Sequence, residues 1–156
     1  MKTVYSAVME RLKTKVKSLK WIDLDTGQLE RVPVLKPELE RAPLAFPCAL
    51  IGINIPRSED ITDTDQDCDA RIVVRLAFNQ EMRTNAAAPA SVTPVALKPY
   101  DIIADTYAAL QGWGTENFDP LSRVSQGKEN SRNGLFIYRI EFKTEFEDQT
   151  ASQYKI

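Results

Sequence analysis

The sequence predicts an α+β fold, one domain with a mostly antiparallel mixed sheet and two helices on one face, in the order α-β-β-β-β-α-β-β. Three observations carry this prediction. Residues 69–79 and 135–148 alternate apolar and polar side chains, the period of a half-buried strand. The first twenty residues place apolar side chains three and four apart, the period of an amphipathic helix. The remaining strand candidates are joined by hairpin-length links, which antiparallel neighbours can use and parallel neighbours cannot. At 156 residues the chain suffices for one domain that buries roughly 70% of its unfolded surface.

Taken in order, Tyr5, Val8, Leu12, Val16 and Leu19 form one stripe of a helix expected over Lys2 to Lys20, widened by Met9. At 100° per residue, Lys2, Lys13, Lys17 and Lys20 share a neighbouring face, and Arg11 and Lys15 lie across the stripe. No aromatic side chains interleave with these lysines, so the face reads as solvated, not as a phosphate-binding surface. WIDLDTGQLERV then reads as a hairpin around Asp25-Thr-Gly27, where glycine supplies a positive φ. Four prolines between Pro33 and Pro47 predict an extended connection. FPCALIGINI (46–55) is a short, almost wholly apolar run, as expected of a strand covered on both faces.

In the strand DARIVVRLAFN, Ile72, Val74, Leu76 and Phe78 face one way and Arg71, Val73, Arg75 and Asn79 the other. Thr84 to Pro99 is alanine- and proline-rich without a period and reads as a mobile linker. A second helix is expected from Pro99 to Gln111. Pro99 would sit in its first turn, Asp101 would complement its dipole, and Gly112 or Gly114 would end it. Its inward stripe is Ile103, Tyr107 and Leu110, with Ile102 alongside, and Trp113 and Phe118 follow in the exit loop. LSRVSQGK and LFIYRIEFKTEFED are the last two strands, separated by the turn-rich ENSRNG. Segments 60–69, 84–98 and 148–156 are expected to be mobile.

Composition narrows the function. The chain has no histidine, which removes Ser-His-Asp and Cys-His nucleophilic systems, the His-carboxylate facial triad and imidazole-bound zinc. A formal charge of −2 supplies no general attraction to nucleic acid. No apolar run approaches the ~20 residues of a membrane span. Glu10 and Arg11 interrupt the first apolar residues, so a cytoplasmic location is expected. Cys48 and Cys68 are read as free thiols.

The most suggestive motif is DTDQDCD, with carboxylates at Asp63, Asp65, Asp67 and Asp69. Asp63, Asp65 and Asp67 match the opening of an EF-hand calcium loop and are the metal candidates of this chain. The match then fails, because the sixth position is Cys68 instead of glycine and the twelfth is Val74 instead of glutamate. The preferred reading is an acidic hairpin tip that discourages edge pairing. A two-metal nuclease would need carboxylates from separate strands. Ser125-Gln-Gly-Lys128 matches S-x-x-K, but in a predicted strand, without SDN or KTG elements. No phosphate-binding glycine loop occurs. No catalytic, cofactor-binding or metal residue is therefore assigned, and a non-enzymatic protein is expected.

The order of pieces carries one resemblance. An N-terminal amphipathic helix is followed by WIDLDTGQLE, LAFPCALIGI, DARIVVRLAF, the helix YDIIADTYAALQGW and the long strand LFIYRIEFKTEF. This resembles the small tail terminator, or tail-completion, proteins of long-tailed phages and prophages, over most of the chain. The resemblance implies a structural subunit that forms a homo-oligomeric ring, commonly a hexamer, capping the tail tube. Its implied partners are further copies of itself, tail-tube protein and neck or connector protein. It implies assembly in the cytoplasm and residence in the virion tail, with neither a membrane nor sequence-specific nucleic acid as partner. The long stretch before the second helix and the acidic loop depart from that pattern. The alternative is a nonviral adaptor that captures a protein strand at an exposed sheet edge.

Overall fold

The computed structural model describes residues 1–31, 44–79, 87, 90, 93–131 and 133–154. Its centre is the strand β3 (Gln66–Phe78), paired along its length with β2 (Cys48–Asp60) on one side and β5 (Phe136–Asp148) on the other. The short β1 (Trp21–Leu24) joins the outer edge of β2, and β4 (Ser122–Glu129) joins β5, giving the order β1-β2-β3-β5-β4. The β1–β2 pair is parallel and the other three are antiparallel, so the sheet is mixed and mostly antiparallel as expected.

Two helices, α1 (Lys2–Lys15) and α2 (Thr93–Leu110), cover one face. Under them the alternation read in the sequence becomes burial: Ile72, Val74, Leu76, Phe78, Ile140 and Phe142 pack with Val4, Val8 and Leu12 of α1 and Ile102, Ile103 and Leu110 of α2. A smaller cluster lies on the opposite face, where Cys48, Leu50, Ala77 and Ile137 meet Leu29 and Leu135. Both faces of β2 are thus buried at its start, as its continuous apolar run requires.

Four elements differ from expectation, each for a local reason. The first helix ends at Lys15, with Val16 outside helical backbone, because Lys20 donates its amide to the Pro47 carbonyl at 2.9 Å and draws the chain into the sheet. Lys17 and Lys20 therefore lie beyond the helix. The expected hairpin at 21–32 forms only its first strand. Gly27 takes its positive φ of 84°, but the Gln28 side chain accepts from the Thr26 amide at 2.7 Å and donates to the Leu24 carbonyl at 2.8 Å. That turn leads into a 3-10 helix, Leu29–Arg31, which buries Leu29 under the sheet, and β1 pairs with β2 instead.

The second helix begins at Thr93, ahead of the expected Pro99. Pro94 fills the first-turn place and Pro99 lies inside the helix, so residues 93–98 are helical, not part of a link. Most of the expected linker, 84–92, lies outside the described residues, as do 32–43 and 155–156. Fourth, β2 and β3 run further than expected and confine the acidic connection to residues 61–65. The chain then closes with a four-residue helix, α3 (Thr150–Gln153).

Gly114, in the loop after α2, shows how tightly that loop folds back on its own backbone before β4. A Cβ built there would fall 2.7 Å from the Pro120 nitrogen and 2.9 Å from both the Asp119 carbonyl carbon and the Phe118 oxygen. All three are backbone atoms and cannot swing aside. Gly52, by contrast, has open space in that direction. Gly114→Ala is expected to cost about 1–3 kcal/mol and Gly52→Ala less than about 1, read as urea midpoints at unchanged m-value.

Candidate interaction surface

The face of the sheet away from the helices carries the molecule's organised charge. Because β2, β3 and β5 are in fixed register, its side chains form rows of three across the strands. The first row, Cys48–Ala77–Ile137, is apolar, and next come Leu50–Arg75–Arg139, Gly52–Val73–Glu141 and Asn54–Arg71–Lys143. The last two rows are Arg57–Asp69–Glu145 and Glu59–Asp67–Glu147. The face therefore runs from apolar through mixed charge to acidic.

Its middle is internally neutralised. The Arg75 guanidinium bonds Asp25 Oδ2 at 3.1 Å, Glu30 Oε1 at 2.6 Å and Glu129 Oε2 at 2.8 Å, with only 14% of its side chain exposed. Glu129 also faces Arg139 at 3.9 Å, Arg139 pairs with Glu141 at 2.8 Å, and Glu141 faces Arg71 at 3.7 Å. The cationic pair Arg75 and Arg139, opposite one another in register, is thus bridged by a carboxylate from β4. Burial works against the charged form of Arg75, but the hydrogen bonds it donates to Glu30, Glu129 and Asp25 outweigh it and raise its pKa. The same bond to Arg75 holds the Glu30 carboxyl below its ordinary value of 4.5.

The far end of the face is not neutralised. Asp67 lies opposite Glu59 on one side and Glu147 on the other, and Asp69 lies opposite Glu145. Directly opposed side chains sit about 5 Å apart at Cβ, where like charges destabilise a sheet. Arg57 pairs with Glu59, but among the described residues no ion pair reaches Asp67, Asp69, Glu145 or Glu147. A hollow of 230 Å³ lies over these rows, lined by Arg57, Ser58, Glu59, Asp67, Asp69 and Glu145. The negative potential reaches the covered face as well: the Cys68 thiol is pushed up by burial and then by Asp148 and Asp67.

The metal candidates do not converge. Asp63 and Asp65 sit in the turn, where the Asp65 carbonyl accepts from the amides of Ile61 and Thr62, while Asp67 is a strand residue. Among the described residues no group of three or more His, Cys, Asp or Glu side chains is placed to hold a metal ion. Ser125 lies opposite Glu141, while Lys128 sits over the Phe136 ring at 5.9 Å on the helix-covered face. Strand geometry thus separates the two members of the S-x-x-K match. Cys48 is a free thiol whose pKa burial raises to about 11, far from a reactive thiolate. Trp113 stacks edge-on against the buried Phe118 at 5.3 Å and carries Arg11 over its ring, which closes the edge of the core.

Lys2, Lys13, Lys17 and Lys20 are all exposed, and none forms an ion pair among the described residues. Lys13 and Lys15 sit in the last turn of α1, where they complement its dipole. Lys17 and Lys20 have no helix end to serve. Sequence reading missed the Arg75 network, because its partners come from Asp25, Glu30 and Glu129, far apart in the chain. It also missed that Glu145 and Glu147 complete rows begun by Asp69 and Asp67. The signal was present in the alternation of both strands, but only their register joins it.

No protein-family model and no curated sequence matches the chain. Among solved structures the chain is similar to a chain of the virion of a native gene transfer agent particle, with a TM-score of 0.56 and 14% sequence identity. The match covers 92% of this chain and 94% of that one, so the likeness is one of whole fold.

The Arg75 network yields a pH dependence with a definite sign. Glu30 has a folded pKa below its unfolded one, so its contribution is present above the ordinary carboxylate range and is lost as pH falls through the folded value. The stability gap between the protein and Glu30→Gln is therefore expected to be steady near neutrality and to close in acid. Arg75→Met, which strands three carboxylates, is expected to cost about 2–3 kcal/mol at neutral pH. Urea titrations of both variants at several pH values check these outcomes.

Proposed function

We propose that this protein is a non-enzymatic structural subunit of a phage-like particle, a tail terminator or tail-completion protein that forms a ring, caps the tail tube and joins it to the neck. The observation that carries this reading is the likeness to a chain of a gene transfer agent virion, which extends over nearly the whole of both chains. Two features of the molecule support it. Three hollows of 230–480 Å³ on the described surface are lined largely by polar side chains, and the chain has no histidine to supply acid–base chemistry. Its two ends also differ in charge, which suits the two unlike patches that a heterologous ring contact needs. In such a particle the protein would assemble in the cytoplasm and reside in the tail.

One observation favours a second reading. The outer edge of β4 has no strand partner among the described residues, and Val124 on it is exposed. A nonviral adaptor could add a partner's strand there.

Native mass by light scattering over a wide concentration range separates the two. A discrete closed oligomer near six subunits, visible as rings in negative stain, is the expected result. A monomer at every concentration that captures an extended peptide along β4 would favour the adaptor.

A further inference from the structure

We propose that the acidic end of the open sheet face docks onto the lysine-bearing end of α1 and its following turn in a second copy of this chain, making a head-to-tail contact. The inference rests on the ring reading above and specifies which surfaces meet. The first observation is the register: Glu59–Asp67–Glu147 places three carboxylates side by side across three strands, and Asp69–Glu145 places two more beside them. Such rows cost stability in the isolated subunit, and no described cation pairs with the four carboxylates at Asp67, Asp69, Glu145 and Glu147.

The second observation is independent and lies at the opposite end of the strands. Lys13, Lys15, Lys17 and Lys20 are exposed and equally without ion-pair partners among the described residues. Lys20 is fixed beside Pro47, at the start of β2, whereas Glu59 stands near the end of that strand. At the rise of an extended chain the two patches are roughly 35 Å apart, beyond the reach of any side chain and several screening lengths of physiological salt. They cannot neutralise each other within one molecule. In a second copy they are complementary, and the contact is heterologous because different surfaces meet.

The edges of the sheet fit this docking mode. Beyond Ile51 the outer edge of β2 is blunted by Pro56 and by a register shift between Asn54 and Arg57, which disfavours strand-to-strand joining at that end. A contact there is made by side chains of the face, not by extension of the sheet.

The test uses two charge-reversed proteins beside the unaltered chain. Asp67→Lys/Glu147→Lys cancels the net negative charge of the acidic rows, and Lys17→Glu/Lys20→Glu cancels the net positive charge of the lysine end. Each alone is expected to self-associate about tenfold more weakly or worse, with Asp67→Lys/Glu147→Lys melting no lower than the unaltered chain, because positions 67 and 147 keep a like-charge contact while that between Glu59 and position 67 becomes attractive. An equimolar mixture of the two is expected to restore one contact, between the unaltered lysine end of the first and the unaltered acidic end of the second, and so to give heterodimers that neither variant forms alone, seen by light scattering and native mass spectrometry. Unaltered assembly of both single variants would overturn the contact while leaving the ring standing. An unaltered chain that never oligomerises would overturn the ring reading and this contact together. Calcium binding that is lost in Asp67→Lys/Glu147→Lys, with assembly unchanged, would reassign the acidic rows to a cation.

Discussion

Everything in this molecule is referred to the register of β3 against its two neighbours. One face of β3 is buried under α1 and α2, so Ile72, Val74 and Leu76 must point to the helices. A slip of one residue would turn all of them to solvent. That constraint is set mainly on the helix-covered face, with Cys48, Leu50, Ala77 and Ile137 adding to it at one end of the other, yet it also dictates which charged side chains meet on the open face. Arg75 is placed opposite Arg139, and Asp67 opposite Glu147, whether or not those neighbours suit each other.

The two misfits are handled differently. Between Arg75 and Arg139 the sequence supplies Glu129 from β4, and Asp25 and Glu30 from the turn after β1, so the like charges become members of one network. This network also holds the β1 turn and the edge strand β4 to the sheet centre. At the other end nothing comparable is supplied: Arg57 reaches Glu59, Glu147 accepts only from the Gln149 amide at 2.6 Å, and no ion pair reaches the remaining carboxylates among the described residues. The fold thus supplies counter-charges to the like-charge row at Arg75 and Arg139 and, among the described residues, none to Asp67 and Glu147.

Much of the fold was legible because its signals are local. Alternation identified β3 and β5 with the correct inward faces, the apolar run identified β2 as covered on both sides, and the first helix was read from its stripe. What escaped depends on contacts distant in sequence. The amide of Lys20 finds Pro47, which ends the helix early, and the Gln28 side chain folds the chain under the sheet, which replaces a second hairpin strand. The acidic motif was legible as a cluster but not as a surface. Read along the chain, Asp63 to Asp69 looks like one loop, whereas the pairing divides it between a turn and a strand. The partners that give the strand half its character, Glu145 and Glu147, are far away in the chain.

The charge arrangement also bears on how copies of such a subunit would associate. When two copies meet head to tail, one acidic end and one basic end are neutralised, while the outer ends of the pair keep their unpaired charge. Each added copy leaves that remainder unchanged, so an open chain always retains one unsatisfied patch of each sign. Only a closed ring brings the last acidic end onto the first basic end, and closure requires that the rotation between successive copies divide a full turn. On the proposed contact, a closed ring would hold one contact more than an open chain of the same number of copies, and the rotation between copies would set that number.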